Sequence, residues 1–386
     1  MAYSFIIILA SVTFLLYGLC IAVFTYGWLK LKHRNIPQSM SNPATDVSVV
    51  VAVRNEEKNL DALFHHLTAQ DYPTHLFEVI LVNDHSRDDT VEIIYRWLKK
   101  SVVKLRVVHN GPSETGKKAA LKNGIENARG ELILTTDADC IMGKEWVKSM
   151  VACYEHEKKH MILGPVLYSY QKSSAFELFQ ALEFISLLAT SAGAAALNRP
   201  LFCNAANMAF TRKIFKELND PFSSDTPSGD DTLLLLSIKR KYPGNIQFNK
   251  EPRAIVETDP EKTLKNFWNQ RKRWVSKSSH YRDFDILATA FIVSGANMLL
   301  IVFLILMTFN PIFINYFIIF FLLKLIIDAI LLFPVIFHYK RYRLLNSYLP
   351  SQLIYPFYVA ASALGGKLSG FKWKNRYYHA TRTIQK

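Results

Sequence analysis

Three long apolar runs punctuate an otherwise mixed pattern of hydrophobic and polar positions. Residues 5–29 carry no charged side chain. At about 1.5 Å of rise per residue, a helix of that length crosses a hydrocarbon core about 30 Å thick. Residues 286–309 and 312–337 form two further runs joined only by Asn310-Pro311, a connection that predicts a helical hairpin. The last of these contains Lys324 and Asp328, four residues apart and therefore predicted to pair inside the membrane. A shorter stretch, 349–364, is interrupted by Pro350 and Pro356 and reads as an interfacial or re-entrant segment.

From residue 46 onward the texture changes. Short β-branched runs at 47–53, 77–82, 105–109 and 131–136 alternate with helical periods at 56–69, 88–100, 117–128 and 144–157. Near-continuous apolar strands separated by helices predict an α/β domain whose sheet is covered on both faces. The predicted organisation is an N-terminal anchor and linker over 1–45 and an α/β domain over 46–280. A C-terminal membrane hairpin, with the shorter segment and a basic tail, follows over 281–386. An Ala-rich apolar helix at 176–197 falls inside the α/β domain, either as core or as an interfacial helix.

Composition adds direction. The formal charge of +14 would suit a nucleic-acid binder, but the basic residues gather at the ends of the apolar runs. Lys30, Lys32, His33 and Arg34 form one such group, Arg271–Arg273 a second, Lys340, Arg341 and Arg343 a third, and Lys372, Lys374 and Arg376 a fourth. Juxtamembrane Lys and Arg mark the cytoplasmic side and meet anionic headgroups, so a bilayer is the expected partner and nucleic acid is not. The same tendency puts the N-terminus outside and residue 30 onward inside. Arg271 and Lys272 are expected to lie on lipid. The four cysteines, Cys20, Cys140, Cys153 and Cys203, have no metal-binding or disulfide spacing and read as small buried residues.

In open α/β sheets ligands bind beyond the carboxyl ends of the strands. Three such ends are polar here: Arg54-Asn55-Glu56-Glu57, Asn83-Asp84-His85-Ser86 and Asp137-Ala138-Asp139. Asn, Asp and Ser also cap helices and make turns, and both uses can hold at once. Asp137 and Asp139 are read as a strand continuation with both carboxylates on one side. Two such hard oxygen ligands suit Mg²⁺ or Mn²⁺ shared with phosphate oxygens.

With these residues in place, the chain from about Val47 to Trp274 resembles glycosyltransferase family 2, in its membrane-integrated branch. The resemblance is carried, in order, by VRNEE (53–57), VNDHSRDDT (82–90), GKKAALKNG (116–124), TDADC (136–140), GDD (229–231) and QRKRW (270–274). It implies a GT-A type, Rossmann-like fold: a mixed, mainly parallel sheet with helices on both faces, here joined to transmembrane helices. The expected activity is that of an inverting, metal-dependent transferase using a nucleotide-sugar donor, most simply a UDP-sugar. By the resemblance Asp84 takes the base, Asn55 and Glu56 line the nucleoside pocket, and Lys117 lies near the diphosphate. Asp139 is the metal ligand, with Asp137 helping through the ribose or the metal.

Asp231 corresponds to the general base. Its neighbour Asp230 stands where the family more often has Glu, which leaves open which of the two performs the proton transfer. Gln270, Arg273 and Trp274 match the signature that closes over diphosphate and acceptor, and Asn207, in CNAANMAF (203–210), corresponds to a position beside the acceptor. The signature occurs both in enzymes that add one sugar to a lipid and in polysaccharide synthases of the cellulose and hyaluronan type. Few membrane helices, and an ending FKWKNRY (371–377) similar to that of lipid glycosyltransferases, favour a lipid-embedded hydroxyl over a nascent glycan. The implied location is a multi-pass membrane protein with a cytoplasmic catalytic domain. A non-catalytic nucleotide-sugar-binding protein is the alternative from another class.

Overall fold

The computed structural model describes residues 2–32, 43–169, 174–218, 221–222, 230–278, 281–368, 371–373 and 376–378. The chain runs through α1 (Ala2–Lys30), β1 (Val47–Val53), α2 (Leu60–Thr68), β2 (Phe77–Asn83), α3 (Thr90–Lys100), β3 (Lys104–His109), α4 (Lys117–Asn127) and β4 (Leu132–Thr135). It continues through β5 (Ile141–Met142), α5 (Trp146–Glu157), β6 (Met161–Leu163), β7 (Val166–Tyr168), α6 (Ala175–Ala196), β8 (Met208–Thr211), α7 (Arg212–Glu217), α8 (Asp230–Lys241), β9 (Ile246–Phe248) and β10 (Val256–Thr258). Then follow α9 (Leu264–Ser278), α10 (Phe284–Leu306), α11 (Phe313–His338), α12 (Leu345–Leu368) and a short antiparallel pair, β11 (Phe371–Trp373) and β12 (Arg376–Tyr378). Lys374 and Asn375 of the FKWKNRY ending, and His33 and Arg34 of the first basic cluster, lie outside the described residues.

Two compact units result: Lys30–Ser169 with Ala195–Asp259, and Met1–Leu29 with Tyr170–Ala194 and Pro260–Lys386. The first is built on a seven-stranded sheet of order β3-β2-β1-β4-β8-β6-β9. β1 pairs in parallel with β2 and β4, and β2 with β3; the first, second and fourth strands are buried almost throughout, as expected of a parallel sheet, while β3 at the edge is partly exposed. β8 runs antiparallel to both β4 and β6, which makes the sheet mixed. A small second sheet, β5-β10-β7, was not visible in the sequence, because strands of two or three residues are too short to show alternation. Helix α4 packs so closely that a methyl group at Gly124 would sit 2.4 Å from Val50 Cγ1 and 2.8 Å from Val82 Cγ2.

Among the described residues, the second unit contains four helices long and apolar enough to cross a membrane: α1 from Ser4, α6, α10 and α11. Helix α6 is mostly buried, whereas α1 and α10 keep exposed apolar faces such as Leu15, Leu19, Phe284 and Phe291. The predicted Lys324/Asp328 pair forms, Nζ to Oδ2 at 2.6 Å, with Lys324 0% exposed. Gln352 of α12 joins it, accepting from Lys324 at 2.6 Å and donating to Asp328 at 2.8 Å, and the Tyr17 hydroxyl of α1 donates to Asp328.

Two expectations change here. Residues 349–364 are not broken by their prolines, since α12 continues through Pro350 and Pro356 and its tertiary contacts outweigh the lost backbone bonds. Nor does Arg271 lie on lipid: its side chain is 2% exposed and pairs with the buried Glu183 of α6.

Candidate active site

The first three strands end level with one another. Val53 pairs with Asn83 and Asn83 with His109, while Thr135 at the end of β4 pairs with Val50. The segments that follow β1 and β2 are stitched together. The Asn55 N–H donates to Ser86 Oγ at 3.1 Å, and the Arg87 N–H donates to Asn55 Oδ1 at 2.9 Å. The Glu56 N–H donates to Thr90 Oγ1 at 2.7 Å. Asn55 and His85 both take left-handed backbone angles, φ 53° and 55°. Asn tolerates that region. Residues 57–59 form a turn, the Asn59 N–H donating to the Glu56 carbonyl at 2.9 Å, and α2 begins at Leu60 and not at the expected residue 56. Asn55 is exposed, whereas Glu56 is buried and accepts from Asn59 Nδ2 at 2.8 Å.

Asp84, the expected base-binding residue, is 2% exposed. Its Oδ1 accepts from the Gly116 N–H at 3.0 Å and Asn110 Nδ2 at 3.4 Å, and Arg54 approaches its Oδ2 at 3.5 Å. It therefore also organises the loop that leads into α4. Arg54 was named at the first strand end but given no role of its own, since its contact with Asp84 joins segments 30 residues apart. Asp88, in the same loop, resists the upward push of burial. Hydrogen bonds from the Thr90 hydroxyl and from the Glu57 and Thr90 N–H groups hold its carboxyl below the usual range.

Helix α4 starts at Lys117 after Gly116, whose φ of 98° is one that only glycine adopts freely. Lys117 Nζ donates to Asp137 Oδ1 at 2.5 Å. Thus Lys117, expected near the diphosphate, and Asp137, expected at the ribose or the metal, are adjacent at the ends of α4 and β4. The Asp137-Ala138-Asp139 segment differs from its expected form. β4 stops at Thr135, and the chain turns, with the Cys140 N–H donating to the Asp137 carbonyl at 3.2 Å. Strand alternation therefore does not orient the two carboxylates. Asp137 is half-buried and Asp139 exposed. Burial, then the negative charges of Asp137 and Asp139, push the Cys140 thiol well above its usual range.

Among the described residues no three His, Cys, Asp or Glu side chains are placed to hold a metal by themselves. Asp137 and Asp139 do fit a small hard cation that takes one or two protein carboxylates and completes its shell with phosphate oxygens and water.

Asp231, at the start of α8, accepts from the Thr232 N–H at 2.7 Å and from the Ala205 N–H at 3.4 Å. Ala205 is in turn held by β4, the Thr135 hydroxyl donating to its carbonyl at 2.6 Å. One carboxylate thus caps its helix and faces the 203–207 segment at the same time. Of the neighbouring motif residues, Gly229 and the Asp230 side chain lie outside the described residues. Asn207 does not take the acceptor-side place expected of it. It is 1% exposed, accepts from Trp146 Nε1 at 2.9 Å, and donates to the Pro165 and Ala254 carbonyls at 2.8 and 2.7 Å. Its amide is occupied in bracing the core, and Gly164 is required beside it, since any Cβ there would come within 2.4 Å of it.

Gln270, Arg273 and Trp274 are grouped on α9 in the helical unit. Gln270 donates to Glu261 Oε1 at 3.2 Å, and Trp274 stacks on Phe184 with ring centres 6.0 Å apart.

Residues 48–218 match the family model described as glycosyl transferase family 2. Poly-beta-1,6-N-acetyl-D-glucosamine synthase of Staphylococcus epidermidis is 27% identical over 260 residues, 64% of this chain and 59% of the relative. Beta-monoglucosyldiacylglycerol synthase of Trichormus variabilis is 29% identical over 139 residues, 36% of this chain and 30% of the relative. The chain therefore spans less than two thirds of the length of these relatives. Among solved structures, a mannosyltransferase from Pyrobaculum calidifontis in complex with GDP-Man and Mn²⁺ superposes with a TM-score of 0.54 at 17% identity, covering 83% of this chain and 98% of that one. That likeness supports the GT-A type fold. Residues 48–218 accordingly form a domain that matches the glycosyl transferase family 2 model.

Proposed function

We propose that the protein is a membrane-bound, inverting glycosyltransferase that moves a sugar from a nucleotide-sugar donor, UDP-linked, to a hydroxyl of a lipid-embedded acceptor. The observation that carries this reading is the meeting of Lys117 with Asp137 at the ends of α4 and β4, with Asp231 tied to β4 through Ala205. Asp84, Asn55 and Glu56 are assigned to the nucleoside. The Asp84 carboxylate is an acceptor-only group, suited to an imide N–H of the base. Lys117 supplies a point charge to the diphosphate, aided by the positive N-terminal end of α4.

Asp231 Oδ removes the proton of the acceptor hydroxyl. The freed oxygen attacks the anomeric carbon on the face opposite the diphosphate. As the new C–O bond forms, the bond to the diphosphate oxygen breaks and leaves its electron pair there, while the proton rests on Asp231. By the resemblance of residues 270–274 to the family signature, Arg273 and Gln270 are assigned to the diphosphate and Trp274 to the acceptor, roles that suit a forked cation and a flat apolar ring. A Mg²⁺ or Mn²⁺ ion held by Asp139, with Asp137, would supply electrostatic neutralisation of the departing diphosphate.

The flanking Lys30, Lys32, Lys340, Arg341 and Arg343 support a multi-pass arrangement with the catalytic unit on the cytoplasmic side. A processive polysaccharide synthase is the second reading, favoured by the Staphylococcus relative. Against it, the four long apolar helices among the described residues are few to enclose a polar channel in one subunit. Isotope-labelled donor incubated with membranes containing the protein separates the two. Label extracted into organic solvent as a singly glycosylated lipid supports the proposal, and label retained in high polymer overturns it.

A further inference from the structure

Helix α9 presents Gln270, Arg273 and Trp274, yet its most buried charge is Arg271. The guanidinium of Arg271 is fully engaged. One terminal nitrogen donates to Glu183 Oε2 on α6 and the other to Gln270 Oε1, while Nε donates to the Tyr358 hydroxyl of α12 at 3.0 Å. Tyr358 in turn donates to Glu183 Oε1 at 2.7 Å, which closes a ring of three side chains from three helices. The planar cation lies 4.3 Å from the Phe267 ring centre and 4.2 Å from that of Trp274. Trp274 stacks on Phe184, the residue after Glu183.

Apolar packing would hold three helices together at least as well as a buried ion pair, whose desolvation cost offsets much of its attraction. A forked cation bonded at each of its nitrogens does something that packing does not: it fixes the azimuth of the helix that carries it. Successive residues of a helix are about 100° apart, so locking Arg271 sets the directions in which its motif neighbours project.

We propose that Glu183 is a positioning residue. With Tyr358 it locks Arg271 and thereby the azimuth of α9, the helix that carries Gln270, Arg273 and Trp274. This rests on the transferase reading above. The sequence held no hint of Glu183, which sits in the Ala-rich helix read as core or interface.

The test uses the full chain in membranes or nanodiscs, as wild type, Glu183→Gln, Tyr358→Phe and, as control, Asp231→Asn. Steady-state turnover and donor KM are measured together with thermal unfolding and amide hydrogen exchange across Leu264–Trp274. A group that orients a transition-state contact lowers kcat and kcat/KM together, so Glu183→Gln is expected to lose about tenfold or more in kcat, with KM little changed. Exchange along α9 should quicken, while β1 and β2 stay protected. Tyr358→Phe, which removes one hydroxyl, should show the same pattern more weakly. An unchanged kcat in either folded variant, or a loss that only tracks the folded fraction, overturns the proposal. Should Glu183→Gln not fold, Tyr358→Phe decides on the same two numbers. Absence of product from wild type would overturn the transferase reading instead. Unaltered exchange along α9 in a folded variant would remove the positioning role by itself.

Discussion

Lys117 Nζ and Asp137 Oδ1 are 2.5 Å apart, which joins the first residue of α4 to the turn after β4. The pair places a cation beside a carboxylate at the strand ends where a diphosphate would lie. Removing the cation by Lys117→Met should lower kcat/KM for the nucleotide sugar by roughly 10²–10³-fold, the range found when one donor to a developing charge is lost. Initial-rate kinetics on detergent-solubilised protein measure this. A change of less than about twofold would assign Lys117 to structure alone, since a surface ion pair contributes little.

Asp139 is the more exposed member of the acidic pair and the one assigned to direct metal coordination. Chelation should abolish turnover, and added Mg²⁺ or Mn²⁺ should restore it. In Asp139→Asn the metal concentration giving half-maximal rate should rise on the order of tenfold or more, because a neutral amide oxygen binds a hard cation less well than a carboxylate. Full activity in chelator would remove metal from the account.

At the opposite end of the sheet Glu78 meets Ser48, the Arg129 N–H and Arg106. Burial alone would raise its carboxyl, but the hydrogen bonds from these three groups and the charge of Arg106 outweigh it and hold the carboxyl below the usual range. A depressed carboxyl stabilises the fold above its unfolded value of about 4.3 and loses that contribution as pH falls through the lower folded value. Thermal unfolding against pH should therefore fall steeply in wild type below about pH 4.3 and less steeply in Glu78→Gln. Parallel curves would contradict this.

Gly27 of α1 and Gly193 of α6 cross so closely that a methyl group on Gly27 would lie 2.0 Å from the Gly193 carbonyl oxygen. Small residues allow such backbone approach between membrane helices. Gly193→Val should cost about 1–3 kcal/mol or more through overpacking, seen as a lower unfolding midpoint and less protein in the membrane fraction. A variant as stable as wild type would show that the helices can separate without loss.

The sheet and its polar strand ends were legible because β1 and β2 are long, apolar apart from Ser48 and Glu78 up to their ends, and lead directly into Arg54-Asn55-Glu56 and Asn83-Asp84. The Lys324/Asp328 pair was legible for a related reason: four-residue spacing on a helix dictates contact. What the sequence obscured was settled by tertiary partners. Asn207 was placed beside the acceptor by the resemblance, and only the approach of Trp146, Pro165 and Ala254 reveals that its amide is engaged in the core. Asp137 and Asp139 looked strand-borne because turn formation after Thr135 depends on the Cys140 N–H bond, which no pattern announces. Arg271 was misjudged although a signal existed, since it follows Phe267 by four residues and precedes Trp274 by three, on one face of α9. Charge was given more weight than that periodicity.

The central claim is that Asp231 removes the proton of an acceptor hydroxyl attacking a nucleotide-activated sugar. Its most direct test compares wild-type and Asp231→Asn protein in the same membranes, with donor consumption and product mass followed together and folding checked by thermal unfolding. The account predicts an acceptor heavier by one sugar for wild type, and for the folded Asp231→Asn variant a fall in kcat of about 10²–10⁴-fold, the contribution of a general base. Transfer by Asp231→Asn at the wild-type rate, or no glycosylated product from wild type, would contradict it.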